Sequence, residues 1–219
     1  MNRVISFSLW GSDPKYNVGA IKNAELTNVI YPGWRSVFYV NSISVPVDTI
    51  NSLRSIPSAT VVEMIDNDSW VNMFWRLKVF DDPTIDVCVF RDTDSRLNTR
   101  EKAAVDEWLS SDKTFHIMRD HPHHGFPILG GMWGYKKNTK YNLSGLVKSF
   151  TPSNKYGTDY EFFAKELYPL IGEDKLVHDE FFDKLPFPKP RIGTEFVGDV
   201  YDAMDNRHPE YYKYILNKK

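Results

Sequence analysis

Two carboxylates one residue apart, Asp92 and Asp94, stand at the end of the apolar run Val87-Cys-Val-Phe90. Such a run reads as a buried strand, and buried strands seldom discharge into two acids for packing reasons alone. An all-oxygen pair suits a hard divalent ion, Mg²⁺ or Mn²⁺, which keeps coordination positions open for substrate phosphates. In open α/β sheets, ligands bind at the carboxyl ends of the strands. The pair therefore points to a metal-bridged pyrophosphate site. The competing reading is a polar strand exit in which one of the acids caps the next helix.

Other segments offer chemistry of their own, each with a structural alternative. The first strand leaves through Ser8-Leu9-Trp10-Gly11, where glycine either admits a ligand close to the backbone or simply makes a turn. Arg76, in Phe74-Trp75-Arg76, is suited to hold a diphosphate or uracil, or is a solvated helix residue. Asp120-His-Pro-His-His-Gly125 gathers an acid and three histidines. Zinc or another transition metal is one use of such a set, but the proline breaks helical histidine spacing, which favours a polar loop reaching sugar hydroxyls. Ile128-Leu-Gly-Gly-Met-Trp-Gly134 is a glycine-interrupted strand passing a ligand or a bend, with Trp133 either a stacking face or a core residue. Thr158 is the expected N-cap of a late helix. That places Asp159 in the first turn, compensating the helix dipole or offering a free carboxylate of depressed pKa. His178, after Leu176-Val177, is a metal ligand or a structural histidine.

These residues need a scaffold. Residues 4–9 alternate as a first strand, 10–14 turn, and 17–31 carry Val18, Ile21, Leu26, Val29 and Ile30 at roughly helical spacing until Pro32-Gly33. Strands follow over 35–40 and 60–65, with a short helix over 47–53 between them and a helix over 70–80 that stops at Asp81-Asp82-Pro83. Asn98 with Glu101 forms a capping box, opening a helix through Ala103, Ala104, Trp108 and Leu109, and 114–118 is another strand. This alternation predicts an α/β fold, a mostly parallel sheet covered on both faces. Beyond Asp120, loops rich in proline, glycine and histidine interrupt the pattern, with one clear helix over 159–170. We expect a single domain over 1–219, with a regular nucleotide-binding half, 1–119, and an irregular half, 120–219, that dresses the site.

Composition narrows the function. At 219 residues the chain buries one sizeable core. A formal charge of −2 excludes a general nucleic-acid binder, which carries a strong basic excess. The single cysteine, Cys88, lies inside the acid-bearing strand, so a disulfide framework and a cysteine-rich zinc site are both excluded. The first strand begins by Val4 and no apolar run reaches membrane-spanning length. A soluble, cytoplasmic protein without a membrane span is expected.

Several segments in combination resemble the GT-A glycosyltransferases, and in particular the small family that includes the chlorella-virus glycosyltransferase domain. They are Ile5-Ser-Phe-Ser-Leu-Trp-Gly11, Tyr16 with Val18-Gly-Ala-Ile21, Trp75-Arg76, Arg91-Asp-Thr-Asp-Ser-Arg96, His116-Ile-Met-Arg-Asp-His121, Leu129-Gly-Gly-Met-Trp133 and Leu176-Val-His-Asp179. The resemblance implies a GT-A fold with a mixed, mostly parallel sheet of about six strands. It implies transfer of a sugar from a UDP-sugar to a hydroxyl acceptor such as a glycan, with Mn²⁺ or Mg²⁺ as cofactor. Ser8, Leu9, Trp10, Arg76, Asp92, Thr93 and Gly131 would then contact the donor, and Asp92, Asp94 and His178 the metal. Asp159 would act beside the transferred sugar, where relatives carry an Asp-Gln pair and this chain has Tyr160 in the second place. Inversion would need a base on the acceptor side, with Asp159, Asp120 or a loop histidine as candidates. Two rivals remain: a sugar-phosphate nucleotidylyltransferase, which carries a glycine-rich loop with a basic residue after its first strand, and a non-catalytic nucleotide-sugar-binding module.

Overall fold

The alternation in the first strand decides how the sheet is covered. In β1 (Arg3–Leu9), Ile5, Phe7 and Leu9 join one apolar cluster while Val4 joins the other, and Ser6 and Ser8 lie on the Val4 side. Both faces are buried, so the two serines do not face water. They are matched instead to the backbone of a helix that packs over them. The structure, a computed structural model, describes residues 1–216.

After β1 come α1 (Pro14–Ile30), β2 (Arg35–Asn41), α2 (Val47–Ser55), β3 (Ala59–Met64), a 3₁₀ helix (Trp70–Asp81), β4 (Val87–Phe90), α3 (Thr99–Ser110), β5 (Phe115–Arg119) and β6 (Trp133–Lys136). Then follow α4 (Leu143–Ser149), α5 (Thr158–Phe162), α6 (Tyr168–Ile171), β7 (Lys175–Asp179) and α7 (Pro209–Leu216). One sheet holds seven strands in the order β3-β2-β1-β4-β6-β5-β7, parallel throughout except β6, which runs against both neighbours. The mostly parallel, helix-flanked sheet is as expected, with one strand more than the six anticipated. One face is filled by α1, α2 and α3 over Phe7, Phe38 and Val89, and the other by the 3₁₀ helix and the late helices over Phe90, Phe115 and Trp133. Among the described residues no helix is long and apolar enough to cross a membrane.

Three local expectations are corrected. The segment over 70–80 is 3₁₀ rather than α-helical, unusually long for that form. Ser8 Oγ accepts the Arg76 N–H at 2.9 Å and donates to the Met73 carbonyl at 3.2 Å, while Ser6 Oγ donates to the Arg76 carbonyl at 2.7 Å. The strand thus takes backbone groups that an α-helical ladder would use. The helix expected over 159–170 is broken by a π-turn at Phe163–Leu167, which ends two residues before Pro169, a residue that has no N–H to give and crowds the preceding turn. Thr158 does not cap that helix: Gly157, at φ 81°, is the cap residue, and Thr158 Oγ1 accepts from the Ser153 N–H at 3.0 Å.

Two other readings resolve on the structural side. Trp133 is a core residue, stacked on Phe90 at 4.2 Å between centroids. The Asn98 side chain caps α3 by accepting from the Glu101 N–H at 2.8 Å, but the Glu101 carboxylate does not complete the box. It is buried and accepts from Tyr31 Oη at 2.6 Å and Arg91 Nε at 2.8 Å.

Candidate active site

The loops leaving the carboxyl ends of β1 and β4, which lie side by side, open into a cleft of about 510 Å³. That is ample for a small-molecule ligand. Of the residues singled out from the sequence, Ser8, Leu9, Trp10, Arg76, Asp92, Thr93, Asp94, Gly131 and Asp159 line it. Asp120 and His178 do not.

Arg76 is the hinge of the arrangement. The Ser6 and Ser8 hydroxyls fix its backbone, and its side chain is 4% exposed. One guanidinium nitrogen, Nη1, pairs with Asp92 Oδ1, and the other, Nη2, with Asp159 Oδ2 at 3.1 Å. A helix start and a strand exit are thereby joined through one buried cation. Burial pushes the Asp159 carboxyl above the ordinary carboxylate range, against the pull of Arg76, so the depressed value expected from its helix position is not what the site produces. Gly130 and Gly131 sit in a turn, Met132 N–H to Leu129 carbonyl at 3.0 Å, pressed against this cluster. A Cβ on Gly130 would lie 2.3 Å from both Arg76 Nη2 and Asp159 Oδ2, and one on Gly131 would lie 2.1 Å from Asp92 Oδ2.

The second acid has its own cation. Lys15 Nζ lies 2.8 Å from Asp94 Oδ2. Burial and the neighbouring Asp92 charge raise the Asp94 carboxyl while Lys15 opposes them. The acid-bearing loop is held from below by α1, where buried Asn23 donates to the Ser95 carbonyl at 2.8 Å and accepts the Leu97 N–H at 3.1 Å. Gly19 permits this approach, since a Cβ there would fall 1.8 Å from the Thr93 carbonyl oxygen. Lys15 and Asn23 were not among the sequence candidates. The signal available for Lys15 was a cation in the first turn of a helix, where the dipole disfavours it.

The residues left outside the cleft have definite structural duties. Asp120 is fully buried, accepting from Arg100 Nε at 2.9 Å, Arg100 Nη2 at 3.0 Å, Arg191 Nη2 at 2.6 Å and the Val197 N–H at 2.9 Å. With every oxygen engaged and no access to the cleft, it is no acceptor-side base. His178 is buried on β7, its Nδ1 2.8 Å from His116 Nε2 and its Nε2 3.5 Å from Glu107 Oε2. That buried pair lies outside the cleft lining and is not a metal ligand set. The loop after Asp120 does reach the cleft through His121, His123 and His124. His124 Nδ1 accepts the Asp120 N–H at 3.1 Å, and His121 accepts the His123 N–H at 3.1 Å while donating to the Tyr211 carbonyl at 3.0 Å. The exposed His123 ring makes ring contacts to His121 and Tyr214.

Among the described residues no group of three or more histidine, cysteine or acidic side chains converges on a cation position. Asp92 and Asp94 each keep one carboxylate oxygen outside their ion pairs, and Mg²⁺-type sites commonly use one or two carboxylates completed by substrate phosphates. The two acids fit such an open site.

Neither a family model nor a curated protein matches the sequence. Solved structures do. A glycosyltransferase involved in glycosylation of the major capsid of PBCV-1 aligns with a TM-score of 0.54 at 15% identity, covering 84% of each chain. The chain has a GT-A-type fold. A cytidylyltransferase from Leptospira borgpetersenii gives 0.55 at 13% identity, over 83% of this chain and 76% of its own. A mannosyltransferase from Pyrobaculum calidifontis, in complex with GDP-Man and Mn²⁺, gives 0.52 at 10% identity, over 84% of this chain and 58% of its own. At such identities the likeness establishes the GT-A-type architecture, which glycosyl- and nucleotidyl-transferring proteins share.

Proposed function

We propose that this chain is a glycosyltransferase that moves a sugar from a UDP-sugar to a hydroxyl acceptor such as a glycan, assisted by Mn²⁺ or Mg²⁺. The observation that carries the reading is the buried Arg76, bridging Asp92 at the strand exit and Asp159 at the helix start, over the carboxyl ends of β1 and β4. In glycosyl transfer the bond between anomeric carbon and diphosphate oxygen breaks, and the nucleoside diphosphate takes the electron pair. A fixed cation beside that diphosphate lowers the barrier because it needs no reorganisation as charge develops. Arg76 supplies it, and Asp92 and Asp94 would hold the divalent ion, which adds Lewis-acid neutralisation of the same charge when bound.

Asp159 faces the sugar in this reading, accepting from donor hydroxyls and meeting positive charge at the anomeric carbon. Its ion pair with Arg76 suits it poorly to general-base work. The acceptor hydroxyl attacks the anomeric carbon and passes its proton to the exposed imidazole of His123, which lines the cleft. Residues 1–119 then hold the nucleotide, and the loops of 120–219 hold the sugar and acceptor. The choice of uridine rests on the sequence resemblance around Ser8, Leu9 and Trp10.

A nucleotidylyltransferase is the second reading, favoured by the likeness to the Leptospira cytidylyltransferase. A screen of nucleotide-sugars for release of free nucleotide, with Mn²⁺ and with chelator, separates the two when run beside UTP or CTP plus sugar phosphates assayed for pyrophosphate. Metal-stimulated UDP release that is lost in Asp94→Asn supports glycosyl transfer. Pyrophosphate release alone replaces it with the second reading, and neither product in any combination leaves a binding module.

A further inference from the structure

Lys15 is placed with care. The Asp13 carboxylate caps α1 by accepting the Lys15 N–H at 2.9 Å, and Asn17 Nδ2 donates to the Asp13 carbonyl at 2.8 Å and the Gly11 carbonyl at 3.2 Å. The first turn is thereby tied to the strand exit, and the lysine side chain is delivered to Asp94. Lysine in that turn works against the helix dipole, and the turn holds no acidic residue of its own. Helix stability does not explain the residue. A carboxylate at the cleft does, and so does an anion brought there. Lys22, the next lysine along α1, shows the ordinary case, an exposed pair with Glu25 at 3.4 Å.

The consequence for a divalent ion is direct. An ion on Asp94 must accept a neighbouring ammonium or displace it, because the lysine already neutralises the carboxylate at contact distance. We propose that Lys15 is the resident counter-ion of the Asp-x-Asp site, masking Asp94 against divalent ions in the empty cleft and turning onto the donor diphosphate when that anion arrives. The proposal rests on reading the cleft as a nucleoside-diphosphate site. It makes the chain weakly metal-binding when empty and able to hold a diphosphate through Arg76 and Lys15 even in chelator.

The test uses the whole chain and two probes, Mn²⁺ alone and UDP. Free Mn²⁺ is followed by electron paramagnetic resonance, and UDP binding by calorimetry with Mn²⁺ and with chelator, in wild type, Lys15→Met and Lys22→Met. Lys15→Met should bind Mn²⁺ alone at least tenfold more tightly than wild type, and UDP in chelator at least tenfold more weakly, with Lys22→Met unchanged in both. Equal Mn²⁺ affinities in wild type and Lys15→Met overturn the masking role, as does a matching gain in Lys22→Met. UDP binding by wild type that vanishes in chelator, or that Lys15→Met leaves unaltered, overturns the diphosphate role. Failure of wild type to bind any nucleoside diphosphate even with Mn²⁺ would instead sink the donor-site reading, while the Mn²⁺ titration still decides the masking.

Discussion

Gly130→Ala adds a single methyl at the point where the site is tightest. The new Cβ would lie 2.3 Å from both Arg76 Nη2 and Asp159 Oδ2, where ordinary contact needs about 3.5 Å. Each group must retreat by roughly 1 Å, yet their side chains are only 4% and 6% exposed. The 3.1 Å pair therefore opens inside the protein. Overpacking of this kind costs about 1–3 kcal/mol, and a buried pair broken by removing one partner costs about 3–5 kcal/mol. Here both charges remain and Arg76 keeps Asp92, so the expected total is about 2–4 kcal/mol. In a chain of this size that lowers Tm by roughly 4–16 °C. Because Arg76 is pushed away from its seat, UDP should bind at least about tenfold more weakly, or about 1.4 kcal/mol.

Urea unfolding and calorimetric UDP titration measure the two effects. Gly125→Ala is the control, since its nearest neighbours would be Phe182 ring atoms at 3.8 Å. A double-mutant cycle supplies the sharper check. Once Asp159→Ala has removed the carboxylate, only the Arg76 contact remains and the guanidinium can shift into the vacated space, so Gly130→Ala should cost less in that background. Full additivity, or a Gly130→Ala protein as stable and as tight for UDP as wild type, would refute the picture of a glycine held open by the ion pair.

Three further outcomes follow from the corrected residues. Asp120→Asn leaves Arg100 and Arg191 undercompensated in the interior and should lower the unfolding free energy by about 3–5 kcal/mol, while the UDP affinity of the folded fraction stays within experimental error of wild type. His178→Ala should lower stability in urea without changing the Mn²⁺ dependence of UDP binding, and a selective loss in the presence of the ion would restore it as a ligand. Burial holds His116 well below the usual histidine range, and His178 is lowered too. The unfolded chain therefore takes up protons that the folded chain refuses, and unfolding free energy should fall as pH drops from 6.5 to 5.5, by about 1 kcal/mol from His116 with a smaller contribution of the same sign from His178. A flat urea-midpoint profile across that window would contradict their burial as neutral rings.

The strand exit, the donor-side loop and the glycine pair were legible because each is a local pattern with a local cause. A run from Val87 to Phe90 that ends in two acids needs no tertiary knowledge to look like a site. What the sequence hid was partnership at a distance. Asp120 resembles a catalytic acid until Arg100 and Arg191, from α3 and the late loop, are seen to use both its oxygens. His178 resembles a metal ligand until β7 is placed beside β5, where its neighbour is His116 rather than Asp94. The 3₁₀ helix was hidden for the same reason. Only the serines of β1 reveal that its backbone groups are spoken for. Lys15 was the exception, a local rule broken in plain view.

That broken rule marks an anion site without deciding which reaction the fold serves. Both candidate reactions gather cations around a diphosphate, so neither Arg76 nor Lys15 distinguishes them. They differ in which bond breaks. Nucleotidyl transfer breaks the link between the α- and β-phosphates and needs its cations on the departing pyrophosphate, with nothing required of a carboxylate farther along. Glycosyl transfer keeps the diphosphate whole and develops positive charge beyond it, on the sugar. On the proposed reading, a carboxylate anchored by the guanidinium that would meet the diphosphate has a task only in the second case, and Asp159 would be that carboxylate. Asp159→Asn therefore bears most directly on the choice. It keeps the shape of the site and Arg76's pair with Asp92, so UDP affinity should change little, whereas sugar transfer should fall roughly a hundredfold or more. Equal losses in both would mean that Asp159 serves only to seat Arg76, and the case for glycosyl over nucleotidyl transfer would lose its structural support.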